Sequence, residues 1–395
     1  MPDSLPLNAA VAPLDADALI VQAQYTSSHF EPVDAGLRTR FHRLVGGINR
    51  NPLQSLETKR RVELQLRKLL DIRLRLVLDR QRIPGIAQEK IERPIVVIGF
   101  SRTGTTLLHS LLAEDKGAIA PQWWHTHLPS PPPGEVPVTP TRLELAAQEL
   151  DELLRMAPGL LTLHPYWDKR AHALIEDEEI FTIDFLNAYP SLLYHVPSLG
   201  IDVESAAPAD AYVFHKQFLQ HLQWNHPGAH CVTKGIYHQF ALEAFFKAYP
   251  DALCIWPHRS PAEIHTSTMA ITAALYGAIT DWTIDMKKMG PDFVQGIKTS
   301  LDRVLEDPLV DHPQIFHVDF REMTKDPVAT IRAAYSHWSK AYTPEFETSM
   351  RGWLADPANR PDRYGRYNYS PQAFGLDKEA LDSTFAAYRK RFNLI

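Results

Sequence analysis

The sequence predicts an α/β fold, in which a parallel sheet is flanked by helices and preceded by an N-terminal helical extension. Three observations lead to it: a β-branched apolar run at 95–98, alternating strand-like and helix-like segments after it, and helical spacing of apolar residues before it. We expect residues 1–90 to form a helical region packed on the core. Residues 91–395 should form the α/β domain, with a helical insertion at about 140–228.

Apolar spacing and short apolar runs give the individual elements. Helices are predicted at 15–30, 36–49, 56–83, 143–158, 240–249, 261–275 and 328–340. Strands are predicted at 95–98, 117–122, 230–233, 252–256 and 314–318. Six prolines within 128–142 exclude regular structure there, so we expect a rigid surface excursion.

Composition narrows the function classes. The chain has 395 residues, 45% of them hydrophobic, and a net charge of −6, which is typical of a globular protein. This balance gives no broad basic surface for nucleic acid, so any anion must be held by a local pocket. Cys231 and Cys254 lie in apolar runs and are expected to be core thiols in a reducing compartment. Neither a secretory leader nor a run of 18 apolar residues is evident, which favours a cytoplasmic protein without a transmembrane segment.

The stretch 94–112 carries the strongest functional signal. A buried strand is followed by a turn with glycine at each end, Gly99 and Gly104, and then by a helix that begins near Thr105. This arrangement directs backbone N–H groups and a positive helix end at one anion. The spacing is P-loop-like, but Thr105 stands where a Walker A loop has its lysine, so the loop suits a diphosphate-like group better than a triphosphate.

The same loop resembles the 5′-phosphosulfate loop of the sulfotransferases, which bind 3′-phosphoadenosine 5′-phosphosulfate (PAPS). Its matching residues are Arg102, Thr103, Gly104, Thr105 and Thr106, whereas Ser101 replaces the usual proline. The resemblance implies that these five residues bind the 5′ end of PAPS. An ordinary turn of small residues between a strand and a helix is the alternative.

Two later segments resemble other parts of the same family. Arg259 after a strand and Ser267 eight residues on match the family's 3′-phosphate motif by type and spacing. Arg366, in a basic segment near the C-terminus, resembles a residue of the loop that closes over the nucleotide in bacterial members. A helix-capping arginine with a surface serine, and a solvated basic loop, are the respective alternatives.

The resemblance also implies catalytic residues. Relatives carry a glutamate or histidine after their second strand as general base, and His125 occupies that place, with His127 and Glu178 as substitutes. Lys234 matches a lysine that, together with Arg102, would offset charge on the leaving phosphate. Sulfuryl transfer from PAPS needs no metal, and the sequence shows no convincing metal cluster.

Together these segments imply a PAPS-dependent sulfotransferase of the bacterial group related to the tyrosylprotein sulfotransferases. Aromatic residues within 180–224, among them Tyr189, Tyr194, Tyr212 and Trp224, suggest a pocket for a hydrophobic small molecule or lipid acceptor, although they could equally fill a core. A nucleotide kinase or NTPase and a non-catalytic nucleotide-binding protein are the competing classes, and a homo-oligomer is left open.

Overall fold

A five-stranded, fully parallel sheet forms the centre of the protein in the computed structural model, which describes residues 11–50, 55–186, 208–226, 228–279, 285–365 and 370–394. The strand order is β2-β3-β1-β4-β5. The strands are β1 Ile95–Ile98, β2 Ala118–Ile119, β3 His230–Gly235, β4 Leu253–His258 and β5 Ile315–Asp319. The predicted α/β class with a parallel sheet is confirmed.

Helices cover both faces of this sheet and extend beyond it. In the first half of the chain they are α1 Ala16–Ser27, α2 Ala35–Arg50, α3 Leu56–Arg82, α4 Thr105–Leu112, α5 Trp123–His127, α6 Pro140–Met156, α7 Leu160–Leu163 and α8 Asp177–Ile183. In the second half they are α9 Pro208–Gln223, α10 Leu242–Ala248, α11 Pro261–Ile279, α12 Met286–Glu306, α13 Phe320–Lys325, α14 Pro327–His337, α15 Pro344–Ala355, α16 Lys378–Thr384 and α17 Ala386–Arg391.

β1 lies in the middle of the sheet and is buried on both faces, as its continuous apolar run predicts. Ile95 and Val97 pack with α4, α14 and α15, whereas Val96 and Ile98 join the core formed with α6, α8, α9 and α10. Val97 is paired with Lys234 on β3. Because all strands are parallel, the segments after β1, β3, β4 and β5 meet at one edge, where ligands bind in such sheets.

The N-terminal helices have an apolar cluster of their own, built from α1, α2 and one side of α3 as far as Leu74. Ile72 and Leu76, on another side of α3, belong instead to the core around the sheet. Arg40 of α2 and Arg73 of α3 both form ion pairs with the buried Asp184 carboxylate just after α8. This region is therefore tied to the α/β domain by apolar packing and by a buried charge cluster.

Several elements differ from expectation. The strand predicted at 117–122 is only Ala118–Ile119, and α12 was not predicted at all. Gly290 and Pro291 read as a turn in sequence, yet they lie inside α12, whose start is capped by the Asp285 side chain. Tyr189 and Tyr194 lie outside the described residues. No described helix is long and apolar enough to span a bilayer.

Candidate active site

The loop between β1 and α4 has the backbone shape of an anion cradle. Gly99, Arg102 and Gly104 have positive φ angles of 122°, 69° and 88°. The Thr103 hydroxyl donates to the Phe100 carbonyl oxygen at 2.7 Å and closes the loop on itself. Where right-handed and left-handed backbone conformations follow one another, neighbouring N–H groups point to the same side of the loop. The N-terminus of α4 adds its own N–H groups there.

Gly104 is required by this shape for two reasons. Its φ angle is one that side chains disfavour, and a Cβ there would lie 2.1 Å from Met323 Cε and 3.3 Å from a Phe320 ring carbon. The loop is therefore packed against α13, which follows β5 at the same edge of the sheet.

Arg259, the first residue after β4, lies directly against this loop. Its Nη1 donates to the Arg102 carbonyl oxygen at 3.1 Å, and its Nε donates to Glu263 Oε2 at 2.7 Å. The guanidinium carbon lies 4.5 Å from the centre of the Phe320 ring. The two segments predicted to bind opposite ends of one nucleotide are thus neighbours in the fold.

The Arg102 side chain extends to α7, where its Nη1 donates to the Leu163 carbonyl oxygen at 3.2 Å. The residue is exposed and makes no carboxylate ion pair among the described residues. Its guanidinium can therefore turn to an anion in the loop without breaking a salt bridge.

Ser267, the other half of the predicted 3′-phosphate pair, is buried in α11. It is 2% exposed, and its hydroxyl has no hydrogen-bond partner among the described residues. The neighbouring Thr266 hydroxyl and His265 Nε2 are in the same state. Buried polar atoms are normally paired, so the Ser267 hydroxyl is suited to a polar ligand, whereas its two neighbours in sequence point to other sides of the helix. Arg366 lies outside the described residues.

Lys234 is almost fully buried near the carboxyl end of β3. Its Nζ donates to Glu176 Oε1 at 2.7 Å and to the Thr106 hydroxyl of α4 at 3.3 Å. Burial works against ionisation of Glu176, but the Lys234 ammonium outweighs it and lowers the pKa of the carboxyl below its usual value. Lys234 therefore joins the loop helix to a carboxylate that belongs to another part of the chain.

Glu176 and His164 lie near Lys234 and have no role predicted from the sequence. Burial, followed by the nearby Lys234 charge, lowers the pKa of His164 to about 4. Its imidazole is thus neutral and lies close enough to Lys234, Glu176 and Arg102 to sense their charges. The cluster of four consecutive acids at 176–179 was the one signal in the sequence for this region.

The geometry speaks against His125 as the base. Its Nδ1 accepts the Gln122 N–H at 2.9 Å as part of a capping box at the start of α5. Burial, with the Arg142 charge as the next cause, lowers its pKa to about 3, so the ring is neutral. A neutral imidazole that accepts through Nδ1 carries its proton on Nε2 and has no lone pair left for a substrate proton. Among the described residues, His125 makes no contact with the loop between β1 and α4 or with Lys234.

The two substitutes also have structural partners. His127 stacks on Trp123 at 3.8 Å between ring centres, and burial holds its pKa well below the usual value. Glu178 is buried and accepts the Tyr237 N–H at 2.7 Å. Burial, then the Glu176 charge, raises the pKa of Glu178 to about 8. Glu178 therefore holds a proton in the pH range where a base must be free of one.

A cavity of about 720 Å³ is lined mainly by residues of α9, α10 and α12. Its lining is largely apolar and includes Val213, Leu242 and Val304, with Lys216 among the charged residues. Phe240 is one of its lining residues, and the Phe240 ring packs edge-on against Phe100 of the loop at 5.9 Å between centres. Of the aromatic residues that suggested an acceptor pocket, Tyr212 lines this cavity but is only 1% exposed and belongs to the core.

The parallel sheet with this loop at its carboxyl edge defines a P-loop-like α/β enzyme. Residues 94–344 match the model of the sulfotransferase family, and the chain belongs to that family. It is a sulfotransferase, as predicted. Among the described residues, no group of three or more side chains is arranged to hold a metal ion.

Three mycobacterial sulfotransferases are similar to this chain. The chain is 25% identical, over 67% of its length and 68% of the relative, to the omega-hydroxy-beta-dihydromenaquinone-9 sulfotransferase Stf3 of Mycobacterium bovis. The crystal structure of sulfotransferase STF9 from Mycobacterium avium is similar over 100% of this chain and 99% of that one, with a TM-score of 0.83 and 25% identity. Sulfotransferase STF1 of Mycobacterium tuberculosis, with a TM-score of 0.74, 23% identity and coverage of 95% and 99%, has the same fold.

Proposed function

We propose that this sulfotransferase uses PAPS as its donor and transfers the sulfuryl group to a hydroxyl of a hydrophobic acceptor. The observation that carries the proposal is the hydrogen bond from Arg259 Nη1 to the Arg102 carbonyl oxygen, which joins the two segments that resemble phosphate-binding motifs. The left-handed loop and the unpartnered Ser267 hydroxyl fit such a ligand. Membership of a family that generally uses PAPS supports it further.

PAPS supplies a sulfuryl group on a phosphate that is a good leaving group. In the proposal, the 99–104 loop and Arg102 hold the 5′ end through N–H groups and one guanidinium. Arg259 and Ser267 hold the 3′-phosphate, with Arg366 as a further candidate. Adenosine 3′,5′-bisphosphate would leave with both ends still complemented by these groups.

Lys234 and Glu176 are the proposed reacting pair. As the acceptor oxygen bonds to sulfur and the bond from sulfur to the phosphate oxygen breaks, Lys234 offsets the charge that grows on that phosphate. Glu176 takes the hydroxyl proton. The 2.7 Å contact between the two side chains means that Lys234, on turning to the donor, releases the carboxylate that receives the proton.

The acceptor is proposed to be largely apolar apart from its hydroxyl, with its hydrophobic part in the cavity that Phe240 helps to line. The apolar lining and the packing of Phe240 on Phe100 support this, as does a relative whose name gives a hydroxylated menaquinone as its substrate. Filling the cavity by Val213→Trp, at an exposed lining residue, should raise KM for the acceptor and leave nucleotide affinity unchanged.

Turnover of labelled donor tests the function. Purified protein is incubated with sulfur-labelled PAPS and a fractionated lipid extract, and the product is followed by chromatography. Lys234→Met should abolish transfer, whereas Lys116→Met, an exposed lysine before β2, should not. Absence of any labelled product with the native protein would refute catalysis.

Binding separates the competing classes. Adenosine 3′,5′-bisphosphate should raise the melting temperature by mass action, whereas ATP with magnesium should have a much smaller effect. The reverse order would indicate a kinase-like protein. We also propose a cytoplasmic location, which the buried and unpaired thiols of Cys231 and Cys254 support.

A further inference from the structure

A buried polar cluster lies behind the proposed reacting pair. The Asp177 carboxylate accepts from His238 Nε2 at 2.9 Å, and His215 Nε2 lies 3.2 Å from the same oxygen, off the axis of a hydrogen bond. Each histidine contacts a tyrosine hydroxyl through Nδ1, His238 that of Tyr212 at 2.8 Å and His215 that of Tyr249 at 2.7 Å. All five residues are at most 1% exposed.

The cluster has a defined charge state. Burial opposes ionisation of Asp177, but the two histidines outweigh it and keep the pKa of the carboxyl below its usual value. Burial lowers the pKa of His238, so that ring is neutral at pH 7. The network therefore assigns the His238 proton to Nε2, which donates to Asp177, while Nδ1 accepts from Tyr212.

Three consecutive carboxyl groups bind one short piece of chain. Glu176 binds the Lys234 ammonium and Glu178 accepts the Tyr237 N–H, both at 2.7 Å. Between them, Asp177 binds the side chain of the next residue after Tyr237. The start of α8 is thus fastened at three points to residues 234–238, which carry the proposed catalytic lysine.

Gly235 shows how closely these parts approach. A Cβ at this position would lie 2.6 Å from His238 Nε2 and 3.3 Å from Asp177 Cβ. The absence of a side chain at Gly235 lets the histidine fold back over the strand end and reach the carboxylate.

We propose that Asp177 and His238 are positioning residues for sulfuryl transfer, holding the Glu176 carboxylate against the Lys234 ammonium at the end of β3. The inference rests on the proposed roles of Glu176 and Lys234. Nothing in it requires either residue to touch substrate. His215 lies on α9 and contacts Tyr249, so its contact with Asp177 does not hold the segment after β3, and His215 has no positioning role in the proposal.

Two matched variants separate positioning from general stability. His238→Phe and His215→Phe each remove a buried imidazole, a tyrosine contact and an Asp177 contact. Both should lower the melting temperature. Only His238→Phe should lower kcat, by about 10- to 100-fold for a small misplacement of reacting groups, with KM for PAPS unchanged.

The pH profile supplies a readout that a structural role would not move. If Glu176 leaves Lys234 in the free enzyme, the pKa of Glu176 rises, and the acid limb of kcat/KM, which reports the free enzyme, shifts to higher pH in His238→Phe alone. The other titratable groups around Glu176 stay in place and act alike in both variants. They are His164, His109 on α4, and Glu178 and Glu179 on α8.

A measurement independent of turnover distinguishes this inference from the proposed function. Acetic anhydride should label Lys234 faster in His238→Phe than in native protein or His215→Phe, as read by peptide mass spectrometry. If His238→Phe does not fold, a milder pair of variants replaces the first: Tyr212→Phe removes the hydroxyl that contacts His238, and Tyr249→Phe removes the one that contacts His215. Only Tyr212→Phe should then lower kcat. The inference would be overturned if His238→Phe and His215→Phe lost kcat equally. It would also be overturned if Lys234 in folded His238→Phe were acetylated at the same rate as in native protein. Lack of turnover by native enzyme would instead refute the proposed function.

Discussion

Arg259 Nη1 donates a hydrogen bond to the carbonyl oxygen of Arg102 at 3.1 Å, although 156 residues separate them in the chain. Each arginine follows the carboxyl end of a strand, and β1 and β4 are adjacent in the sheet. Parallel pairing of neighbouring strands therefore brings together two segments that each resemble half of a nucleotide site. The nucleotide proposal depends on this pairing.

Arg259 is predicted to recognise the 3′-phosphate. Arg259→Met should weaken binding of adenosine 3′,5′-bisphosphate about 10- to 100-fold, because a hydrogen bond to a charged group contributes about 1.5–3 kcal/mol. Calorimetric titration measures the loss. Adenosine 5′-phosphate, which lacks the 3′-phosphate, is the matched ligand and should lose little affinity. Equal losses for both would mean that Arg259 acts only by supporting the loop at Arg102.

Gly104 is predicted to contribute to the free energy of unfolding through its left-handed conformation. Gly104→Ala should lower the free energy of unfolding by about 1–3 kcal/mol, because it combines a left-handed conformation with a contact on Met323. Gly352→Ala is the control: this exposed glycine lies inside α15 with open space around it, and alanine there should stabilise by about 0.5–1 kcal/mol. Urea unfolding compares the two. A neutral Gly104→Ala variant would contradict the cradle geometry.

Glu176 rather than His125 is predicted to receive the acceptor's proton. Glu176→Gln should lower kcat about 10²- to 10⁴-fold, the usual contribution of a positioned base, and leave binding of adenosine 3′,5′-bisphosphate intact. His125→Asn should retain turnover, because the His125 ring caps α5. Single-turnover kinetics with saturating PAPS measure both. Loss of activity in His125→Asn with retention in Glu176→Gln would restore the original prediction from sequence.

The sequence predicted the parts of the site whose signals are local. The strand at 95–98, the glycine-bounded turn and the arginine after β4 each depend on residues within a few positions of one another. Backbone sterics and helix-end electrostatics decide such features, and a single sequence displays them. The strand alternation likewise predicted that these segments would share one sheet edge.

Glu176 could not be assigned because its position depends on tertiary contacts. Trp123 N–H donates to the Ala173 carbonyl at 2.8 Å and Ile175 N–H to that of Pro121 at 3.1 Å, so residues 173–175, inside the predicted insertion, run along the segment after β2. This backbone pairing brings Glu176, the next residue, close to Lys234. His125 was chosen by its place in a family pattern, whereas the capping of a five-residue helix determines its actual environment.

Glu178 is predicted to make stability depend on pH. Burial, then the negative Glu176 nearby, raises its pKa from 4.5 to about 8 in the native state. Between these values the folded protein holds a proton that the unfolded chain has released, so the free energy of unfolding falls as pH rises through this window and levels off above it. Glu178→Gln cannot ionise and should therefore gain stability relative to native protein between about pH 5 and about pH 8.

Urea unfolding of both proteins across this range measures the difference directly. Glu178→Asp keeps an ionisable carboxyl and should retain the native trend. Glu179, whose pKa burial and Glu176 raise to about 7, contributes a slope of the same sign to all three proteins, so it cancels in the comparison. A stability difference between Glu178→Gln and native protein that is constant with pH would show that the Glu178 carboxyl is already ionised in the fold, and that Tyr237 is held by a carboxylate rather than by a carboxylic acid.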